Sequence, residues 1–233
     1  MLLVGINAQA GSGKSTLAES LAAAHGFGVI ALADPFKRFI QEVYGFSRDQ
    51  LWGPSELRSM PDKRFPRPCT ACHGAGRDDR LHLSSPPCFV CNGVGVTHLT
   101  PREALQKIGS DWGRSNYLNT WVDYTFRVIK QLEKGGHAYF PWTGITDAFD
   151  GDYKGYVIPD LRHVNEVKAA RDHGGKLIRL KGSFKEIPKE FGQHGSEVEQ
   201  LTIPDSEFDL VFDKEHNQEH RFQMATHLLG LKR

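Results

Sequence analysis

Two groups of residues here have types and spacing that suit them to chemistry. The first is Ala8-Gln9-Ala10-Gly11-Ser12-Gly13-Lys14-Ser15-Thr16, a G-x-x-x-x-G-K-[ST] pattern whose first glycine is replaced by another small residue, Ala8. A glycine-rich turn of this kind presents successive backbone N–H groups to a polyphosphate, and the positive end of a following helix adds to the attraction. The pattern assigns nucleotide binding to Gly11, Ser12, Gly13, Lys14, Ser15 and Thr16. Lys14 would reach the β- and γ-phosphates, and the Ser15 hydroxyl would ligate Mg²⁺. The second group is Cys69-x-x-Cys72 and Cys88-x-x-Cys91, with fifteen residues between the pairs. Two thiols per turn can face one tetrahedral ion at about 2.3 Å, and the separation fits a four-thiolate zinc site. These are all the cysteines of the chain, which favours a closed structural site over a catalytic one. A pair of disulfides is the competing reading.

The surrounding elements must place these groups. Leu2–Asn7 is apolar and strand-like, and it runs directly into the glycine turn; Lys14–Ala24 is helix-forming. This strand–turn–helix context gives the motif its mechanism. Onward, short apolar strands alternate with amphipathic helices, the pattern of a parallel sheet covered on both faces. Strands are expected at Val29–Leu32, Tyr156–Asp160, Lys176–Lys181 and Phe208–Phe212. Helices are expected at Phe36–Tyr44, from Thr100 onward behind a Thr-Pro-Arg-Glu capping box, at Tyr117–Glu133, at His163–Asp172 and at Glu215–Leu229. Residues 45–68, 135–155 and 182–199 read as irregular. Gly182, Gly192 and Gly195, with Lys185, Lys189, Ser196 and Glu197, suit the last of these to a lid or to a passive surface loop. The expected division is a core of residues 1–60 and 99–233 with a zinc-binding insert over 61–98.

Composition excludes several classes of function. Lys plus Arg number 29 against 28 Asp plus Glu, a net charge of +1. No global field therefore draws the chain to nucleic acid or to an anionic membrane. No apolar run approaches a membrane span. The N-terminus lacks the pattern of a secretory signal, so a cytoplasmic location is expected, in a host cell if the gene is a phage's. A reducing compartment disfavours disulfides. No Asn-Lys-x-Asp follows a strand, as guanine recognition would require.

Three further segments suggest what receives the phosphate: Ala33-Asp34-Pro35-Phe36-Lys37, the run from Thr100 through Arg102 and Gln106 to Arg114, and Pro159-Asp160-Leu161-Arg162-His163-Val164-Asn165-Glu166. In their order along the chain, with the phosphate loop, these segments resemble the deoxynucleoside monophosphate kinases of tailed bacteriophages. The resemblance spans most of the chain outside the cysteine segment. It implies a P-loop NTPase-type three-layer α/β/α fold and transfer of the ATP γ-phosphate to a (deoxy)nucleoside monophosphate. ATP and Mg²⁺ are then the cofactors, with a homodimer left open. The cysteine repeat, C-x-x-C-x-G-x-G twice, separately resembles the zinc modules of DnaJ-type chaperones.

Phosphoryl transfer needs positioning and cationic stabilisation more than covalent chemistry. On that basis Lys14, Arg162 and Asp160 are the expected catalytic residues, Asp160 holding Mg²⁺ through water or orienting an arginine. Arg102, Arg114 and Arg162 would clamp the acceptor phosphate, Lys37 would add charge there, and Asp34 and Gln106 would read sugar or base. Plainer readings stand beside these: Asp34 as a helix cap, Arg102 and Arg114 as a solvated helix face, Asp160–Arg162 as a structural pair. Trp112, Trp121, Tyr139 and Trp142 could stack a base or simply pack. His73, His82 and His98 read as solvated rather than as ligands. Arg64, Arg67, Arg77 and Arg80 could make the insert a binding surface. Alternatives to the nucleotide kinase are a kinase of dephospho-coenzyme A or phosphomevalonate type, and an ATP-switched protein whose zinc module binds nucleic acid or peptide.

Overall fold

A computed structural model describes residues 2–9, 11–77, 85–147, 152–182 and 195–232, with the side chains of 195–198 left aside. The chain forms two compact units, Met1–Pro35 with Gly113–Arg233, and Phe36–Trp112. The cysteine segment lies within the second unit.

The first unit is built on a five-stranded, all-parallel sheet of order β2-β7-β1-β8-β9. Its strands are β1 (Leu2–Ala8), β2 (Phe27–Val29), β7 (Gly155–Leu161), β8 (Lys176–Leu180) and β9 (Leu210–Phe212). Alternation along the strands sends side chains to two separate cores. Leu3, Tyr156, Ile158 and Leu177 pack with α6 (Thr120–Leu132) and α7 (Val164–Asp172). Val4, Ile6, Val157 and Ile178 pack with α1 (Lys14–His25) and α9 (Gln218–Leu228). Helices on both faces of a parallel sheet give the expected three-layer α/β/α architecture. None of the described helices is long and apolar enough to cross a membrane.

Two segments expected to be irregular are ordered in this unit. Within 135–155, β5 (His137–Phe140) and β6 (Gly144–Asp147) form an antiparallel hairpin. Gly144 takes a φ of 83° at its turn, and Ala138 and Tyr139 are buried. Part of 182–199 is also helical, since α8 (Gly195–Thr202) begins there. The rest of the lid expectation, including Lys185, Lys189 and Gly192, lies outside the described residues.

The second unit has its own core of Ile40, Phe46, Leu51 and Ala104. Elements α2 (Asp34–Tyr44), α3 (Arg48–Trp52), α4 (Ser55–Ser59) and α5 (Pro101–Gln106) supply it. Tyr44, Phe46 and Phe65 meet ring to ring at 5.4–5.6 Å. Residues 45–68 are thus not irregular throughout. Ser47 and Gln50 form a capping box that starts α3, a signal visible in Ser47-Arg48-Asp49-Gln50 and overlooked among its polar neighbours. Strands β3 (Pro66–Pro68) and β4 (Val96–His98) pair antiparallel and bracket the cysteine segment. The capping box of Thr100 and Glu103 opens α5 as expected. Helix α5 then widens into a π-helical stretch, Lys107–Arg114, a form that occurs often at functional sites.

Candidate phosphate-binding and acceptor site

The glycine turn leaves the carboxyl end of β1, where ligands bind in open parallel sheets. Gly11 and Gly13 take φ of 74° and 89°, left-handed values that an L side chain avoids. Gly13 is the residue before α1, which has no side-chain cap and no acid in its first turn. The positive end of the helix therefore faces the turn without a neutralising carboxylate of its own. The Lys14 Nζ folds back to the Gln9 carbonyl at 3.4 Å, while Ser15 and Thr16 are exposed. Such a turn can take a polyphosphate on its backbone, with a lysine above and a hydroxyl free for a hard cation. Ser12 is different: its side chain is wholly buried, and its hydroxyl has no hydrogen-bond partner among the described residues.

Strand β7 pairs directly with β1, so Asp160, near the carboxyl end of β7, and Arg162, just past it, belong to the strand next to the one that leads into the glycine turn. Both Asp160 carboxylate oxygens are engaged, accepting the N–H groups of Leu32 and Ala33 at 2.8 and 3.0 Å. Asp34, almost completely buried, accepts from the Ala31 N–H at 3.1 Å and from the Tyr139 hydroxyl at 3.0 Å. The two acids thus hold one loop, 31–34, at the end of β2. Tyr139, which the sequence offers as a base-stacking or a packing aromatic, thus uses its hydroxyl to hold Asp34.

The segments around Arg114 and Arg162, separate in sequence, meet here. Arg114 Nη1 donates to Asn165 Oδ1 at 3.1 Å and lies 3.5 Å from Glu166 and 3.9 Å from Glu199. Glu166 accepts the N–H groups of Arg162 and His163 at 2.7 and 3.0 Å, fixing the start of α7. Burial pushes its carboxyl up to about 7, although the Arg162 N–H favours the charged form. His163 meets Glu199 at 2.6 Å. Burial lowers the His163 pKa. Burial raises the Glu199 pKa, but its contacts with His163, the Val164 N–H and Arg114 together hold it below its usual range.

Two buried polar residues at the same sheet edge were missed. Asn7 donates to the Leu161 carbonyl at 2.9 Å and accepts from Arg179 Nε at 3.1 Å, joining β1 to both neighbours. Arg179 goes on to the carbonyls of Gln200 and Ile203 and to Asp205, anchoring the chain that follows α8.

The second unit carries the remaining expected acceptor residues. Arg102 donates to the Ser59 and Ser55 hydroxyls at 3.0 and 2.9 Å. Lys37 stands 5.5 Å above the Trp52 ring, and Gln106 is half-buried at the end of α5. Arg67 pairs with Glu103, so that arginine braces α5.

The four cysteines are buried and free of disulfides. All four Sγ atoms lie within 4.8 Å of one another, with Cys69–Cys88 at 3.9 Å and Cys72–Cys91 at 3.7 Å. A tetrahedral zinc at about 2.3 Å from each sulfur requires edges of about 3.8 Å, so the donor set fits that ion. The Gly76 and Gly95 N–H groups point to the Cys72 and Cys91 sulfurs at 3.2 and 3.1 Å, supplying the second layer of donors that orients thiolate ligands.

No family model matches the chain. A protein of Acanthamoeba polyphaga mimivirus, provisionally named a deoxynucleotide monophosphate kinase, is 28% identical over 216 residues, 92% of this chain and 90% of its own length. The resemblance drawn from the motifs is therefore shared with a relative of that description over nearly the whole chain. Among solved structures, an unliganded sugar kinase from Janibacter sp. HTCC2649 aligns over 99% of this chain and 95% of its own at 12% identity, with a TM-score of 0.42. A superposition at that level says nothing of shared chemistry.

Proposed function

We propose that this protein is an ATP-dependent kinase that transfers the γ-phosphate to a deoxynucleoside monophosphate, giving the diphosphate. The observation that carries the reading is the turn at Gly11–Lys14, two left-handed glycines opening an uncapped helix at the carboxyl end of a central parallel strand. The length over which the viral relative matches supports the choice of acceptor. Backbone N–H groups of the loop bind the β- and γ-phosphates, Lys14 neutralises charge that grows in the transition state, and Ser15 ligates Mg²⁺. Asp160 holds the 31–34 loop that carries Asp34, with lone pairs left for a metal-bound water. Arg162 and Arg114 draw the acceptor phosphate, and Lys37, Arg102 and Gln106 are the acceptor-binding candidates of the second unit. Asp34, with Tyr139 on its carboxylate, reads the sugar or base.

The cysteine cluster binds one structural zinc, with all four positions filled by protein. A closed thiolate site of this kind contributes folding energy and takes no part in the transfer.

The test is a panel of ribo- and deoxynucleoside monophosphates with Mg·ATP, the products resolved by chromatography. Diphosphate formation from one or more deoxy acceptors is expected. ATP binding without transfer to any nucleotide would replace this reading with that of an ATP-switched binding protein.

A further inference from the structure

The loop that would hold phosphate is braced from beneath by the C-terminal helix. Arg221, on the second turn of α9, is wholly buried. Its Nη1 donates to the Ser12 carbonyl at 2.7 Å, and its Nη2 donates to the Asp213 carbonyl at 2.9 Å. Gln218, one turn earlier, packs so closely on the loop that a Cβ at Gly13 would collide with its amide, and the same Cβ would stand 3.5 Å from Arg221 Nη1. Nothing in the local pattern of 8–16 announces this partner 209 residues away.

The bond to Ser12 has a specific consequence. The Ser12 carbonyl and the Gly13 N–H belong to one planar trans peptide, so they point in opposite directions. Drawing the carbonyl down to α9 turns the Gly13 N–H away from α9. Gly13 sits at φ 89°, and a glycine crosses between positive and negative φ at little cost. Without an anchor, the Ser12–Gly13 peptide could therefore rotate and present a carbonyl where a phosphate needs a donor. A cation on the carbonyl also polarises the peptide and strengthens its N–H as a donor.

We propose that Arg221 is the positioning residue of the phosphate loop: it locks the Ser12–Gly13 peptide with its N–H available to phosphate. Gln218 fills the space beneath Gly13 and supports the same geometry. Burial pulls the guanidinium pKa down, but an arginine starts high enough to remain charged. The inference rests on the phosphate-loop reading and not on which nucleotide accepts the phosphate.

The test uses the full chain and two probes, Mg·ATP and inorganic tripolyphosphate, with binding followed by calorimetry and folding by thermal melting. Arg221→Met keeps the length of the side chain and removes the donors. It should weaken both probes by about tenfold or more, as expected for loss of a charged hydrogen bond, while the KM for the acceptor is unchanged. Arg221→Lys restores one donor and the charge, and should recover much of the loss. If Arg221→Met does not fold, Arg221→Gln decides by the same readout. A folded variant that binds tripolyphosphate within about twofold of wild type would overturn the inference alone. So would Arg221→Lys performing no better than Arg221→Met. A wild-type protein that binds neither probe would overturn the phosphate-loop reading, and this inference with it.

Discussion

The phosphate loop and the cysteine knuckles solve a similar backbone problem in opposite ways. Both rely on glycines in the left-handed region, Gly11 and Gly13 in one, Gly74, Gly76, Gly93 and Gly95 in the other. In the knuckles those conformations turn the Gly76 and Gly95 N–H groups toward sulfur; in the loop they would turn N–H groups toward a bound phosphate. The knuckles supply their negative charge themselves, as the sulfurs of Cys72 and Cys91. They also brace each other: Cys69 N–H bonds the Gly95 carbonyl and Cys88 N–H bonds the Gly76 carbonyl, each at 2.8 Å. The phosphate loop is closed more weakly among its described residues, by the Ser12 N–H and Lys14 Nζ on the Gln9 carbonyl, each at 3.4 Å. Its charge would come from a ligand and its support from α9, through Arg221. A site for a permanent ion can be written into thirty residues, whereas a site that must fill and empty is held in shape from outside.

Lys14→Ala should break one side of this comparison completely. Turnover is expected to fall by about 10³-fold or more, while the melting temperature and zinc content stay those of the wild type. Near-normal turnover in a folded variant would take the loop out of the mechanism.

Cys88→Ser should do the converse. Metal analysis of the wild-type protein should find close to one zinc per chain. The variant should lose it and become protease-sensitive within Phe36–Trp112, while Mg·ATP still binds. No zinc in protein purified under reducing conditions would overturn the metal assignment.

The arginines sharpen the phosphate side. Arg162→Lys keeps the charge but loses the planar fork, so it should lower kcat by about tenfold or more and raise the acceptor KM less. Arg102→Ala should chiefly raise the acceptor KM. Two-substrate steady-state kinetics decides the matter: if both variants raise the ATP KM and spare the acceptor, these arginines serve the donor.

A paired substitution tests the two kinds of glycine directly. Gly13→Ala and Gly95→Ala both force a side chain into the left-handed region, at about 1–2 kcal/mol each. At Gly95 the added Cβ also runs into the Gly74 carbonyl, which is backbone and cannot move aside, whereas at Gly13 it meets the end of the flexible Gln218. Gly95→Ala should therefore weaken zinc by about tenfold or more in a chelator competition and lower the melting temperature further than Gly13→Ala. Equal melting temperatures would mean that the knuckles are not rigid.

A dependence on pH is expected at Glu166. Its pKa is about 7 when folded and in the ordinary carboxylate range when unfolded, so the folded state binds the extra proton between those values. Stability should then fall as pH rises from about 4.5 to about 7, and level off above. Glu166→Gln keeps an acceptor for the Arg162 and His163 N–H groups and should flatten that slope in pH-dependent urea melts.

The signals legible in the sequence were those carried by neighbours along the chain. Strand, turn and helix around Gly13 and Lys14 can be read from the consecutive residues Leu2 to Ala24, because phosphate binding there uses backbone geometry that glycine spacing dictates. The C-x-x-C-x-G-x-G repeat specifies its own turns, and the Thr100–Glu103 box its own helix start. The hairpin of β5 and β6 was not legible, because Gly, Asp and aromatic residues in 135–155 suit a loop equally well until Ala138 and Tyr139 find a core to enter. Asn7, Tyr139, Arg179 and Arg221 look, in sequence, like any polar residue in a strand or helix. Each is engaged by at least one group from 105 to 209 residues away. The sequence alone determined which backbone turns could receive an anion or a metal; only the tertiary structure decided what holds those turns, because a buried hydrogen bond is chosen by whichever group folding brings within 3 Å.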